Sequence, residues 1–160
     1  MLSSDWTGLL RERLEAHAKG APLDGLTRGG YRLVYGDRES DFMRENDARL
    51  HQANLSFSLG LTVDKDDMIT DVVWDGPVFK AGLTADVKIV AVNGEAYSPD
   101  VLKDAIDAAA GSGPPIALLI KSGDRYRTVA VDWHGGLRYP RLERIPGTTP
   151  LLDAILSPRG

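Results

Sequence analysis

One glycine limits the folds open to this chain. Leu59-Gly60-Leu61-Thr62-Val63 sets it between two leucines and follows it at once with two β-favouring residues. That order reads as a tight turn opening into a strand, because glycine reaches backbone conformations closed to other residues. A turn of this kind aims successive backbone N–H groups into one small space, where their dipoles can hold a carboxylate without any charged side chain. The apolar runs Ile69 to Trp74, Ile89 to Val92 and Ile116 to Ile120 answer it downstream as further strands.

Around that turn the punctuation is local and readable. Asp64-Lys65-Asp66-Asp67 is a polar hairpin loop, and Asp75-Gly76-Pro77 breaks the strand that follows it. Val78 to Gly82 reads as one helical turn closed by glycine. Asp86 to Val92 is a strand, and Asn93-Gly94 is the strongest two-residue turn signal in the chain. Ser98-Pro99-Asp100 opens a helix with a capping hydroxyl and a first-turn proline. In that helix Leu102, Ala105, Ile106 and Ala109 recur on one face, and Gly111 to Pro114 ends it. Ile116 to Lys121 and Tyr126 to Trp133 then form a hairpin across Ser122-Gly123-Asp124.

The flanks are less regular. Trp6, Leu9, Leu10, Leu14 and Ala18 recur at helical spacing and predict a short amphipathic helix, and Tyr31 to Tyr35 alternates as a half-buried strand does. Asp37 to Gln52 is charged with scattered apolar residues and reads as an irregular connection with one helical turn at most. From Gly135 onward, Pro140, Pro146, Pro150 and Pro158 interrupt the apolar residues Leu137, Tyr139, Leu142, Ile145, Leu151, Leu152 and Ile155 and predict an extended arm that docks without regular structure.

Composition removes whole classes of function. A net charge of -4 argues against nucleic acid or an anionic membrane surface as partners. With no cysteine there is no thiolate nucleophile, disulfide or Cys-based zinc site. The histidines, His17, His51 and His134, stand far apart and none is followed by Glu, and His51 and His134 read as exposed or capping residues in preference to general bases. Asp64 to Asp67 lacks the glycine and distal glutamate of a calcium loop, so a solvated hairpin is the better reading. Trp74 and Trp133, at strand ends, read as core or edge packing.

From Leu59 to Val131 the order of landmarks resembles a PDZ domain of the bacterial, protease-associated kind. The residues that carry it are Leu59-Gly60-Leu61, the run Gly76-Pro77-Val78-Phe79-Lys80-Ala81-Gly82-Leu83, Ile89 to Gly94, and the helix led by Ser98. The flanks Tyr31-Arg32-Leu33-Val34-Tyr35 and Gly136 to Thr148 look like the carboxyl-terminal region of the glycyl aminopeptidase family of zinc metallopeptidases. In that family a PDZ domain follows a catalytic domain that carries a His-Glu-x-x-His helix.

The resemblance implies an α+β, PDZ-like fold, a small partly open β-barrel with two helices. It places a helix-strand arm at residues 1–52, the PDZ domain at 53–134 and an extended arm at 135–160. It implies a non-catalytic module cut from a zinc aminopeptidase, with zinc in the parent catalytic domain and no cofactor in this chain, which has no His-Glu-x-x-His. The partner is then a peptide or protein carboxyl terminus, or the parent catalytic domain itself. In the peptide-binding reading, Leu59, Gly60, Leu61, Thr62 and Val63 supply the clamp and the strand edge. Val101, Leu102 and Ala105 are candidates for the opposite wall, with Lys103 at its rim, and spacing alone leaves open which of them faces a ligand. A second reading closes the groove with the chain's own arm or with the neighbouring domain, and a third makes the chain a free-standing adaptor for carboxyl termini.

Overall fold

The structure, a computed structural model, describes residues 23–148 and Asp153. The expected helix at Trp6 to Ala18, His17 and the end of the proline-rich tail lie outside them. In chain order the elements are α1 (Asp24–Arg28), β1 (Tyr31–Gly36), α2 (Asp41–Leu50), β2 (Gln52–Asn54), β3 (Leu61–Asp64), β4 (Ile69–Val72) and α3 (Pro77–Lys80). They continue with β5 (Lys88–Val92), β6 (Glu95–Ala96), α4 (Pro99–Ala108), β7 (Ile116–Ser122), β8 (Arg125–Val131) and β9 (Tyr139–Arg144). The chain divides into two units, Met1–Arg32 with Arg144–Gly160, and Leu33–Glu143.

Within the first unit, Ile145 donates its N–H to the Gly30 carbonyl at 2.8 Å, and the Thr148 hydroxyl donates to the Ile145 carbonyl at 2.7 Å. The Tyr31 hydroxyl donates to the Asp153 carboxylate, and that bond, ahead of burial, raises the Tyr31 pKa.

The larger unit is a mixed assembly of helices and antiparallel sheets. Alternating apolar residues make β7 its central strand: Ile116, Leu118 and Ile120 are fully buried, and the strand pairs with β5 on one side and β8 on the other. With β6 this gives a four-stranded sheet in the order β6-β5-β7-β8, while β2-β3-β4 form a second, three-stranded sheet. Met68 and Lys88 bridge the two, and Ile69 donates to the Val87 carbonyl at 2.8 Å. Among the described residues the ladders do not close into a barrel. Asn93 and Gly94 both take positive φ, 51° and 89°, as the tight β5–β6 turn requires.

α4 begins as its sequence demands, with the Ser98 hydroxyl accepting from Val101 N–H at 3.2 Å and Pro99 in the first turn. Its apolar stripe buries Leu102, Ala105 and Ile106 in one cluster with Leu59, Leu61 and Val63 of the turn. Each fully buried leucine of that set stabilises the fold by about 2 kcal/mol.

Two sequence expectations are corrected. Asp37 to Gln52 is not an irregular connection, because Asp41–Leu50 is a ten-residue helix capped by the Ser40 hydroxyl and closed by His51 at φ 52°. Periodicity misses it because α2 has no buried residue, so it carries no apolar stripe to detect. The tail after Gly135 is not without regular structure, since Tyr139–Arg144 pairs with β1 in a two-stranded sheet. Pro140 is tolerated there because such a ribbon leaves N–H positions that no neighbour needs. Of the two tryptophans read as core or edge packing, Trp74 is 79% exposed and lies on Phe79, ring centroids 4.4 Å apart. Trp133 does pack against the core, its indole N–H donating to the Gly136 carbonyl at 2.9 Å.

Candidate functional site

Asn54 starts the reversal that leads into the glycine turn, its side-chain oxygen accepting from the Ser56 N–H at 3.1 Å and hydroxyl at 2.7 Å. The Leu55 carbonyl then accepts two backbone N–H groups, from Ser58 and Gly60, each at 3.0 Å. The Gly60 carbonyl accepts from Val73, and the Leu59 carbonyl accepts from Val78 at 3.1 Å. Gly60 sits at φ +78°, and Gly76 passes close beneath it, where an added Cβ would stand 2.9 Å from the Val73 carbonyl oxygen. The Gly-Pro motif and the Leu-Gly-Leu turn are therefore two halves of one packed loop.

The strand that leaves this loop has no free edge along Thr62 and Val63. On one side β3 pairs with β4, and on the other Gln52, Ala53 and Asn54 pair antiparallel with Asp64, Val63 and Thr62. Leu55 extends the ladder by donating its N–H to the Leu61 carbonyl at 2.9 Å. Ala53 and Leu55 point inward, 5% and 1% exposed, while Gln52 and Asn54 remain half-buried.

α2 is tied to this added strand by one carboxylate. Asp47 accepts from the Gln52 side-chain amide at 3.0 Å and from the Asn54 N–H at 2.9 Å. Ahead of α2, Glu39 reaches α4 and pairs with Lys103 at 2.7 Å, both side chains largely covered. Burial pushes the Glu39 carboxyl up, but hydrogen bonds from Lys103 and the Tyr139 hydroxyl outweigh it and hold the group below the ordinary carboxylate value. Tyr139 is raised, by burial first and by the Glu39 charge second.

The expected clamp residues Leu59, Gly60, Leu61, Thr62 and Val63 thus come together, with the leucines and Val63 packed in the core. The helix candidates separate. Leu102 faces the core, and Val101 and Ala105 border a cavity of about 240 Å³ beside Val92, Asn93 and Glu95. Lys103 and Pro99 instead border the cavities lined by residues of the segment from Asp37 to Ala53. Sequence reasoning missed Leu55 and Glu39. The inward alternation of Ala53 and Leu55 was its only trace, too short to separate from a loop.

A cavity of about 450 Å³ opens at the far end of β2, beside His51, Gln52, Asp64, Asp67 and Tyr97. The Tyr97 hydroxyl is buried there without a hydrogen-bond partner among the described residues, and burial, with Asp67 and Asp64 behind it, raises its pKa. His134 holds the end of α4, one ring nitrogen at the Ala109 carbonyl and the other at Asp132, each at 2.8 Å. Among the described residues no three His, Cys, Asp or Glu side chains stand where they could hold a metal ion. No helix among them is long and apolar enough to cross a membrane.

Compared with solved structures, the chain is similar in fold to part of an aminopeptidase N family protein from Idiomarina loihiensis. The TM-score is 0.55 at 15% identity, over 99% of this chain and 27% of that one. The chain therefore spans about a quarter of that protein's length. It is also similar, at a TM-score of 0.36 and 15% identity, to the HtrA3 PDZ domain bound to a phage-derived ligand, FGRWV, over 74% of this chain and 95% of that one. No protein-family model matches the chain, and no curated protein matches it in sequence.

Proposed function

We propose that the chain is a non-catalytic, PDZ-like module of a zinc aminopeptidase, built as a partly open barrel, whose strand-addition groove is filled by its own β2. Zinc and the hydrolytic chemistry belong to a catalytic domain of the parent enzyme, and that domain is the module's principal partner. The observation that supports this reading over a free-standing adaptor is the ladder of Gln52–Asn54 on β3, with the Leu55 carbonyl on the N–H groups of Ser58 and Gly60. An adaptor that recruits carboxyl termini needs that edge and those donors unoccupied. The fold likeness to a stretch of an aminopeptidase N family protein agrees with a part in a larger peptidase.

The test is a titration of the purified chain with peptides bearing a free carboxylate and with their amides, alongside an assay for release of amino-terminal glycine in added zinc. Neither binding nor hydrolysis is expected. Affinity for the carboxylate form that is lost on amidation overturns the reading in favour of an adaptor, and chelator-sensitive hydrolysis overturns the non-catalytic claim. The reading frame upstream of Met1 is expected to encode a His-Glu-x-x-His helix.

A further inference from the structure

We infer that Gln52–Leu55 is an internal strand ligand, and that the segment from Asp37 to Leu55 is a strap whose release opens the β3 edge to peptides of the same pattern. The inference rests on the groove reading above and adds its regulation and side-chain preference.

Three observations carry it. The first is direction: β2 runs antiparallel to β3 and brings its carboxyl end to the glycine turn, where the Leu55 carbonyl meets the N–H groups of Ser58 and Gly60. A chain-terminal carboxylate at that point would meet the same donors with a full negative charge, and such charge-assisted bonds are the stronger ones. The second is side-chain alternation. Ala53 and Leu55 are buried while their neighbours are not, so the site takes a small residue and, two positions on, an aliphatic one.

The third is that α2, the longest part of the strap, adds no buried residue to the core, so that only Ala53 and Leu55 anchor it there. Phe42 is 77% exposed, and Asp47 makes α2 and β2 a single piece. The strap's covered polar tie to α4 is the Glu39–Lys103 pair. Only Ser56 and Phe57 separate Leu55 from Ser58, and so short a tether gives β2 an effective concentration on the order of millimolar, which keeps free peptides out until the strap is loosened.

The experiment uses a labelled peptide of the sequence of residues Arg49–Leu55, with a free carboxylate or an amide, against wild type, Glu39→Lys and Ala53→Lys. The first variant sets two cations against each other outside the groove, and the second puts a charge where β2 buries a methyl group. In both folded variants the carboxylate peptide is expected to bind at least about tenfold more tightly than to wild type, and more tightly than its amide. Variants as blind to the peptide as wild type overturn this inference and leave the module reading standing, whereas tight binding by wild type itself overturns the module reading. Amide exchange in wild type decides the matter even where the variants do not fold. Ala53 and Leu55 are expected to exchange at least about tenfold faster than Leu118 and Ile120, and equal protection overturns the strap.

Discussion

Gly60 donates its backbone N–H to the carbonyl of Leu55 at 3.0 Å, so this donor of the glycine turn already holds an oxygen of the same chain. That bond ties the turn to β2, the strand paired with β3, and substitutions on its two sides have separable consequences.

Leu55→Ala is expected to lower stability by about 2–5 kcal/mol, because a fully buried side chain leaves a cavity. Phe42→Ala, in the exposed helix of the same strap, is expected to stay within about 0.5 kcal/mol of wild type. Urea unfolding of the two variants measures the contrast, and similar losses would mean that α2 packs as tightly as β2.

Gly60→Ala meets only ordinary contacts, the nearest being Val73 Cβ at 3.4 Å, but forces φ +78° on a residue with a Cβ. The expected cost is about 1–2 kcal/mol. Gly76→Ala meets a backbone oxygen at 2.9 Å, so the loop must shift, and a larger loss is expected. Chemical denaturation that ranks the two in the opposite order would refute the packing described for this loop.

The Glu39–Lys103 pair gives an acid-side signature. Because the Glu39 carboxyl is held below its ordinary value, its contribution is present above the unfolded pKa of about 4.3 and is lost as pH falls through the folded value. Glu39→Gln should therefore be less stable than wild type at neutral pH, by about 1 kcal/mol, with the gap closing in acid. A gap that does not change with pH would assign Glu39 no charged role.

His134 has the opposite sign. The Ala109 carbonyl, then Asp132, raise its pKa, so protonation favours the folded state. Its contribution is complete below the unfolded value of about 6.5 and disappears as pH rises through the folded value. Proton NMR titration of the ring should give a pKa above the ordinary one, and the advantage of wild type over His134→Gln should fall across the same range.

What the sequence made legible was local chemistry. The Asn93-Gly94 turn, the Ser98-Pro99 helix start and the buried alternation of Ile116 to Ile120 each declare themselves within a few residues. β2 is three residues long, and its meaning lies in a partner that its own pattern does not reveal. α2 is held by its caps and by the Arg44–Asp41 and Arg49–Asn46 contacts, with no buried face for periodicity to find. The helix candidates divide for a related reason. Apolar spacing brings Leu102 to the core, but the face toward the strap is marked by Lys103, whose aim depends on Glu39 more than sixty residues earlier.

The most direct measurement is the pattern of nuclear Overhauser contacts across β2 and β3 in the purified chain. Contacts between Ala53 and Val63 and between Asn54 and Thr62 are expected, together with slow exchange of the Gly60 amide. Absence of those contacts, with a freely exchanging Gly60, would leave the edge open and contradict a groove filled by its own strand.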